Sequence, residues 1–219
     1  LSIVLQSLPS EATLAQYERE VTDALMAIGN PRLGQAIQQD RGSGLQHLGI
    51  SFPNLRKRVK VGFTFYALPA AQILQVWDHL WHNSPVGDVL FVALEYYAPL
   101  AKKRTIAAPD VWPRLKTWVE RVDNWCHSDG LSAIYAWLLA EHRADVYAQL
   151  AQWNRADDQW KRRASLVSLI HYSGKNAVFL PTNMVLPMVT GCVRDHRLHV
   201  QTAVGWVLRE TGHMYPVEI

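Results

Sequence analysis

Segment after segment of this chain repeats its apolar side chains every three or four positions. That spacing marks one face of a 3.6-residue turn, whereas strands alternate at every second position. Leu14, Tyr17, Val21, Leu25 and Ile28 fall on one stripe of "SEATLAQYEREVTDALMAIGN", which opens at Ser10 as N-cap and closes at Gly29. Ile73, Val76, Trp77, Leu80 and Trp81 do the same in "PAAQILQVWDHLWHN". A helix starts after Pro53 in "FPNLRKRVKVGFTFYA", and another follows in "SPVGDVLFVALEYYAPLAKK". "APDVWPRLKTWVERV" puts Leu115, Trp118, Val119 and Val122 on one side. Asp123 is the expected N-cap of "NWCHSDGLSAIYAWLLAEH", whose core stripe is Leu131, Ile134, Tyr135 and Leu138. "ADVYAQLAQWNR", "DDQWKRRASLVSLIHYSGK", "PTNMVLPMVTGCVRD" and "HRLHVQTAVGWVLRETG" complete the series, and only "LFVALEYY" and "VGFTFYA" are ambiguous with strand.

So many helices joined by short turns imply an all-α protein. Their loose repeat of about 35–45 residues is the range of HEAT-like helix pairs. Antiparallel pairs of that kind stack into a curved solenoid, an α-α superhelix with a concave face. Residue-level self-similarity is weak, so a compact irregular helical bundle is the competing architecture. No stretch reads as a linker, and residues 1–219 are expected to form a single HEAT-like domain.

Composition narrows the function classes. At 49% hydrophobic and 19% charged, the chain is a globular protein with a sizeable core. It has no uninterrupted apolar run of about 18 residues, which argues against a membrane span. The start, "LSIVLQSLPSEATL", lacks a signal-peptide pattern and a first Met, and "HMYPVEI" reads like the entry to a further helix. Two cysteines, Cys126 and Cys192, build neither a disulfide framework nor a zinc site, so a cytoplasmic location is expected. Nothing points to oligomerisation, and a monomer is expected. A net charge of +3 is compatible with a polyanionic partner without demanding one.

Three segments stand out from plain core. In "VDNWCHSD" Trp125 and Asp129 lie one helical turn apart, on a face shared with Ser132 and Ala136 and distinct from the core stripe. "WKRRAS" opens an otherwise apolar helix with Lys161, Arg162 and Arg163. "QTAVGWVLRE" places Gly205 before Trp206, inside a helix where glycine costs about 1 kcal/mol relative to alanine.

With "LGISFPNLRKRVK" (48–60), these segments resemble, in order and spacing, the AlkD-like DNA alkylation repair glycosylases, a family built from HEAT-like repeats. The resemblance runs from about residue 47 to 210. It implies a positively charged concave groove for double-stranded DNA with alkylated bases. It also implies excision of cationic N3- or N7-alkylated purines by cleavage of the N-glycosidic bond, with no base-flipping pocket, no metal and no organic cofactor. Carried over by motif, the W-x-x-x-D pair falls on Trp125 and Asp129, the G-W tryptophan on Trp206, and the W-x-x-R arginine on Arg163.

An alkylated purine is already a cationic leaving group, so a strong general acid is not required. Positive charge develops on the deoxyribose as the bond breaks. A fixed carboxylate, here Asp129, stabilises that charge and orients or deprotonates water. Trp125 and Trp206 would pack against sugar and backbone, their electron-rich faces favouring a cation. Arg163 would contact a phosphate, with Lys161, Arg162 and His171 completing the DNA-binding set.

Plainer readings stand beside these. Asp129 also reads as an early-helix acid favoured by the helix dipole, the two tryptophans as core fillers, and Lys161 and Arg162 as a solvated face. "RKRVK" (56–60) reads as a phosphate clamp or, the favoured reading, as the polar side of a helix. Three positions depart from the family pattern. Cys126 stands where a second acid is usual, Thr202 where a lysine is usual, and His171 where another basic residue is usual. Gly130 loosens the helix beside Asp129. "HSD" (127–129) cannot form a nucleophile triad because adjacent helical residues diverge, and His196 with His199 lacks a third ligand. A non-catalytic module binding DNA structures or a protein partner is the competing function.

Overall fold

The computed structural model describes residues 9–171 and 177–219, and all regular structure among them is helical. The chain divides into two compact units, Leu1–Tyr96 and Tyr97–Ile219, with the boundary falling inside a helix.

The first unit opens with α1 (Glu11–Met26), capped by Ser10, whose side chain accepts the Thr13 N–H. α2 (Pro31–Arg41) is a helix that apolar periodicity does not reveal, because its one buried residue is Gly34. Asn30 caps it and Pro31 opens it, the arrangement that pre-sets a first turn. A Cβ at Gly34 would lie 2.2 Å from the His47 carbonyl oxygen, so only glycine allows the 47–48 backbone to lie against α2. α3 (Phe52–Val61) stops at Gly62, whose φ of 85° lies outside the helical range. A short 3-10 turn, Thr64–Ala67, resolves the ambiguous "VGFTFYA". α4 (Ala70–Asn83) buries Trp77 and Trp81, with Phe65 packed edge-on against Trp77. α5 (Gly87–Lys102) settles "LFVALEYY" as helix.

The second unit contains the end of α5, then α6 (Ala108–Leu115), which tightens into a 3-10 turn over Lys116–Arg121. α7 (Trp125–Glu141), α8 (Arg143–Trp153), α9 (Gln159–Val167), α10 (Thr182–Cys192) and α11 (Leu198–Met214) follow. α9 packs between α7 and α11, α8 packs on α7 and α9, and α10 packs on α9 and α11. Alternate helices therefore form one layer, α7–α9–α11, and their partners another, which is helical-repeat architecture. The layer helices begin at residues 125, 159 and 198, close to the expected repeat.

Two local expectations are corrected. The N-cap of α7 is Asn124 rather than Asp123: the Asn124 side-chain oxygen accepts the N–H groups of Cys126 and His127. The helix expected over 157–175 ends at Val167, and its last expected residues, 172–175, lie outside the described residues.

Asn154 ties the two layers together. Its side-chain amide donates to Ser165 Oγ at 3.0 Å on α9 and to the Met188 carbonyl at 3.1 Å on α10, and it lies 3.2 Å from Cys192 Sγ. Asn154 is only 4% exposed, so water cannot replace these partners. Asn154→Ala is expected to cost about 2–3 kcal/mol, from lost bonds and unsatisfied buried acceptors. Urea unfolding of parent and variant measures it.

Candidate active site

α7 is buried on nearly every side. Beyond the expected core stripe, it buries His127, Ser128, Asp129, Ser132 and Ala136. The Trp125/Asp129 face is therefore not an open face along its length. A helix sandwiched between neighbours must satisfy its polar groups internally. Ser132 Oγ donates to the Ser128 carbonyl at 2.7 Å, and the Asn124 amide nitrogen lies 2.7 Å from His127 Nδ1.

Asp129 is satisfied from α9. Arg163 Nε donates to Asp129 Oδ1 at 2.7 Å and Nη2 donates to Oδ2 at 2.9 Å, a two-pronged pairing. Arg163 Nη1 donates to the His199 carbonyl at 2.6 Å and to Thr202 Oγ1 at 2.9 Å, both on α11. Four of the donor directions of the guanidinium thus point at protein acceptors. Arg163, read from the sequence as a phosphate contact, is in the structure the clamp on the candidate catalytic carboxylate. Side-chain exposure is 7% for Arg163 and 8% for Asp129, so only a narrow part of the carboxylate meets solvent.

The electrostatics follow from this burial. Burial pushes the Asp129 carboxyl above the usual carboxylate range, while the Arg163 guanidinium, and His199 behind it, hold it down. Burial and then Arg163 push the His199 imidazole below its usual value, with Asp129 opposing. His199 also packs against Trp160, ring centroids 4.8 Å apart. The sequence pattern offers His199 only as half of a metal pair with His196, and its place beside this ion pair has no signal in the motif.

The remaining candidates sort by position. Trp125 stands one turn from Asp129 on α7, and Trp206 one turn from Thr202 on α11. Arg163 thus joins Asp129 to Thr202, and each of these stands one helical turn from a tryptophan. Six of the nine tryptophans are buried, and the three that are not are Trp125, Trp137 and Trp206. Trp137 was missed by motif and shows only in its incomplete burial.

The expected phosphate-facing cations are engaged with acids. Lys161 Nζ lies 2.8 Å from Glu120, and Arg162 Nη1 lies 2.7 Å from Asp195, a buried carboxylate shared with Arg197. Arg197 and Arg162 hold the Asp195 carboxyl well below the usual range. A cavity of about 460 Å³ opens beside that hub, lined by Arg162, Arg194, Asp195 and Arg197 among others. None of Trp125, Asp129, Arg163 or Trp206 lines it. His171 is stacked between Trp137, 3.8 Å away, and Phe179, 4.4 Å away. Burial first, then Arg104 and Lys102, push its pKa down, which disfavours the cationic ring. Among the described residues no group of three His, Cys, Asp or Glu could hold a metal ion. No helix among them is long and apolar enough to cross a membrane.

A family model described as DNA alkylation repair enzyme matches residues 21–218. No curated protein matches the chain.

Removing the clamp leaves a buried charge. Arg163→Met is expected to cost about 3–5 kcal/mol at pH 7.5. Asp129 holds its proton more tightly folded than unfolded, so its contribution is fully present at low pH and lost as pH rises through its folded pKa. The deficit of Arg163→Met should therefore shrink between pH 7.5 and pH 5. Asp129→Asn added to Arg163→Met should recover part of it. Urea unfolding at the two pH values checks both.

Proposed function

The chain belongs to the DNA alkylation repair enzyme family, and on that premise we propose that it is a monofunctional DNA glycosylase. It releases cationic N3- or N7-alkylated purines from duplex DNA by hydrolysis of the N-glycosidic bond. It acts without a base-flipping pocket and without a cofactor. The observation that supports this reading is the clamped carboxylate: Asp129, fixed by Arg163, one helical turn from Trp125, which is not buried.

In this mechanism the purine departs as a neutral base, because the alkyl group has already made it a cation. Positive charge grows on C1′ and the ring oxygen of the deoxyribose. Asp129 faces that charge through its solvent-reaching edge and accepts a proton from the attacking water as the new C1′–O bond forms. Arg163 keeps the carboxylate ionised and prevents it from rotating, so little reorganisation accompanies the reaction. Trp125 and Trp206 present aromatic faces to the sugar and exclude water, an attraction of about 0.5–2 kcal/mol for a nearby cation.

A second reading is a non-catalytic module that binds DNA structures. It is favoured by the same burial, since the carboxylate has few directions left for a substrate and Lys161, Arg162 and His171 do not present free charge.

Base release from an N7-methylguanine duplex separates the two. The glycosylase reading expects free 7-methylguanine, with Asp129→Asn reducing the rate about 10²-fold or more. Trp125→Ala, which leaves the ion pair intact, should reduce it less. The rate should fall on the acid side at a pH above the ordinary aspartate value, because the ionised carboxylate is needed and burial raises its pKa. Binding with no base released by the parent protein would favour the second reading.

A further inference from the structure

Gly205 stands near the middle of α11, where packing gives no reason for a glycine. Its backbone is helical, and apart from proline no residue favours a helix interior less. Two other glycines of the second unit have neighbours that account for them. A Cβ at Gly191 would lie 2.4 Å from Asn154 Oδ1. A Cβ at Gly212, two turns beyond Gly205 on the same side of α11, would meet Ile219 Cγ2 at 3.6 Å. At Gly205, beyond its chain neighbours and its own helix, a Cβ would meet nothing within 4 Å among the described residues. The residue is exposed, so the space beside it is open.

Hydrogen bonds tie this open side of α11 to the candidate carboxylate. Thr202 lies one turn before Gly205 and is also exposed, whereas Ala203, Val204 and Val207 are buried. Thr202 Oγ1 accepts from Arg163 Nη1 at 2.9 Å, and the same guanidinium holds the two oxygens of Asp129 at 2.7 and 2.9 Å. Trp206, next to Gly205 and one turn beyond Thr202, is not buried. The gap in side-chain cover at Gly205 therefore lies about 4.5 Å along the helix from a residue bonded to the partner of Asp129.

We propose that the missing Cβ at Gly205 lets the sugar–phosphate backbone of the damaged DNA strand rest against α11, and that this close approach sets how near the deoxyribose comes to Asp129. This positioning role rests on the glycosylase reading of the same site and adds what holds the substrate there. Glycine is the default residue where a ligand approaches main chain closely, and its bare Cα–H can meet sugar or phosphate oxygens at distances that a Cβ forbids. Gly205 carries no group that reacts. Its contribution is a distance: a methyl group would hold the strand off by about 1 Å, a displacement that can cost about 10²-fold where chemistry depends on alignment.

Gly205→Ala tests this because stability and rate should move in opposite directions. The methyl group fits the open space and alanine favours the helix, so the Tm of the free protein should rise by about 2–4 °C. Single-turnover release of 7-methylguanine from a duplex should fall about 10-fold or more. Gly205→Leu should lower the rate further and weaken binding to the duplex several-fold. Gly212→Ala, on the same helix but covered by Ile219, should hold or raise Tm and leave the rate unchanged. A rate for Gly205→Ala equal to the parent's, a lower Tm, or an equal loss from Gly212→Ala overturns the proposal. If the parent releases no base, the glycosylase reading fails, and affinity for an undamaged duplex decides the role of Gly205. Weaker binding by Gly205→Leu with Tm kept then retains the close approach, while unchanged binding, or no binding by the parent, overturns it.

Discussion

The second unit is organised around one ion pair in a place where ion pairs are expensive. Desolvating a carboxylate and a guanidinium costs several kcal/mol each, and attraction offsets this only when geometry is good and the other donors are satisfied. Arg163 meets both conditions, with two prongs on Asp129 and a third nitrogen shared between the His199 carbonyl and Thr202 Oγ1. Because those acceptors lie on α7 and α11, the guanidinium fixes the register of three helices of one layer. Thr202 contributes by being uncharged. A lysine there would set a second cation against Arg163, where a hydroxyl oxygen accepts a bond.

The tryptophans show how much of the chain's chemistry is packing. Trp77, Trp81 and Trp118 are sealed in the core, and Trp112, Trp153 and Trp160 are nearly so. The three left with accessible surface, Trp125, Trp137 and Trp206, sit on α7 and α11, which flank α9. Aromatic surface that could have been buried but is not invites a ligand explanation. Trp137 stacks on His171, and Trp125 stands one helical turn from the clamped Asp129.

What the sequence made legible follows from which forces act locally. α1, α4 and α7 are visible because each needs an apolar stripe and writes it at helical spacing. α2 was invisible because it docks through the backbone at Gly34, leaving no stripe, although Asn30 and Pro31 marked its start. Trp125, Asp129, Arg163 and Trp206 were found through motif resemblance, and their identities carried the expectation further than their contacts could. That Arg163 faces Asp129 depends on how α9 sits against α7, 34 residues away in sequence, and no local pattern encodes it. Glu120 and Asp195, which hold Lys161 and Arg162, are equally remote. A run of positive residues therefore says little about free charge until its acids are located.

Paired charge beside the candidate site limits how such a protein holds DNA. The net charge of +3 is small, and the basic residues nearest the candidate site are neutralised in pairs. A neutralised pair releases few counterions, so it contributes little to the salt-dependent part of DNA affinity. Attraction to the duplex must then come from cations away from the carboxylate, and those beside it remain free to shape its field. The separation has a chemical advantage. A guanidinium held on a phosphate could not also hold Asp129, and a carboxylate without its clamp would, once buried, favour its protonated form and lose the charge that the proposed reaction needs. Engaged inward, Arg163 favours the ionised carboxylate against the effect of burial.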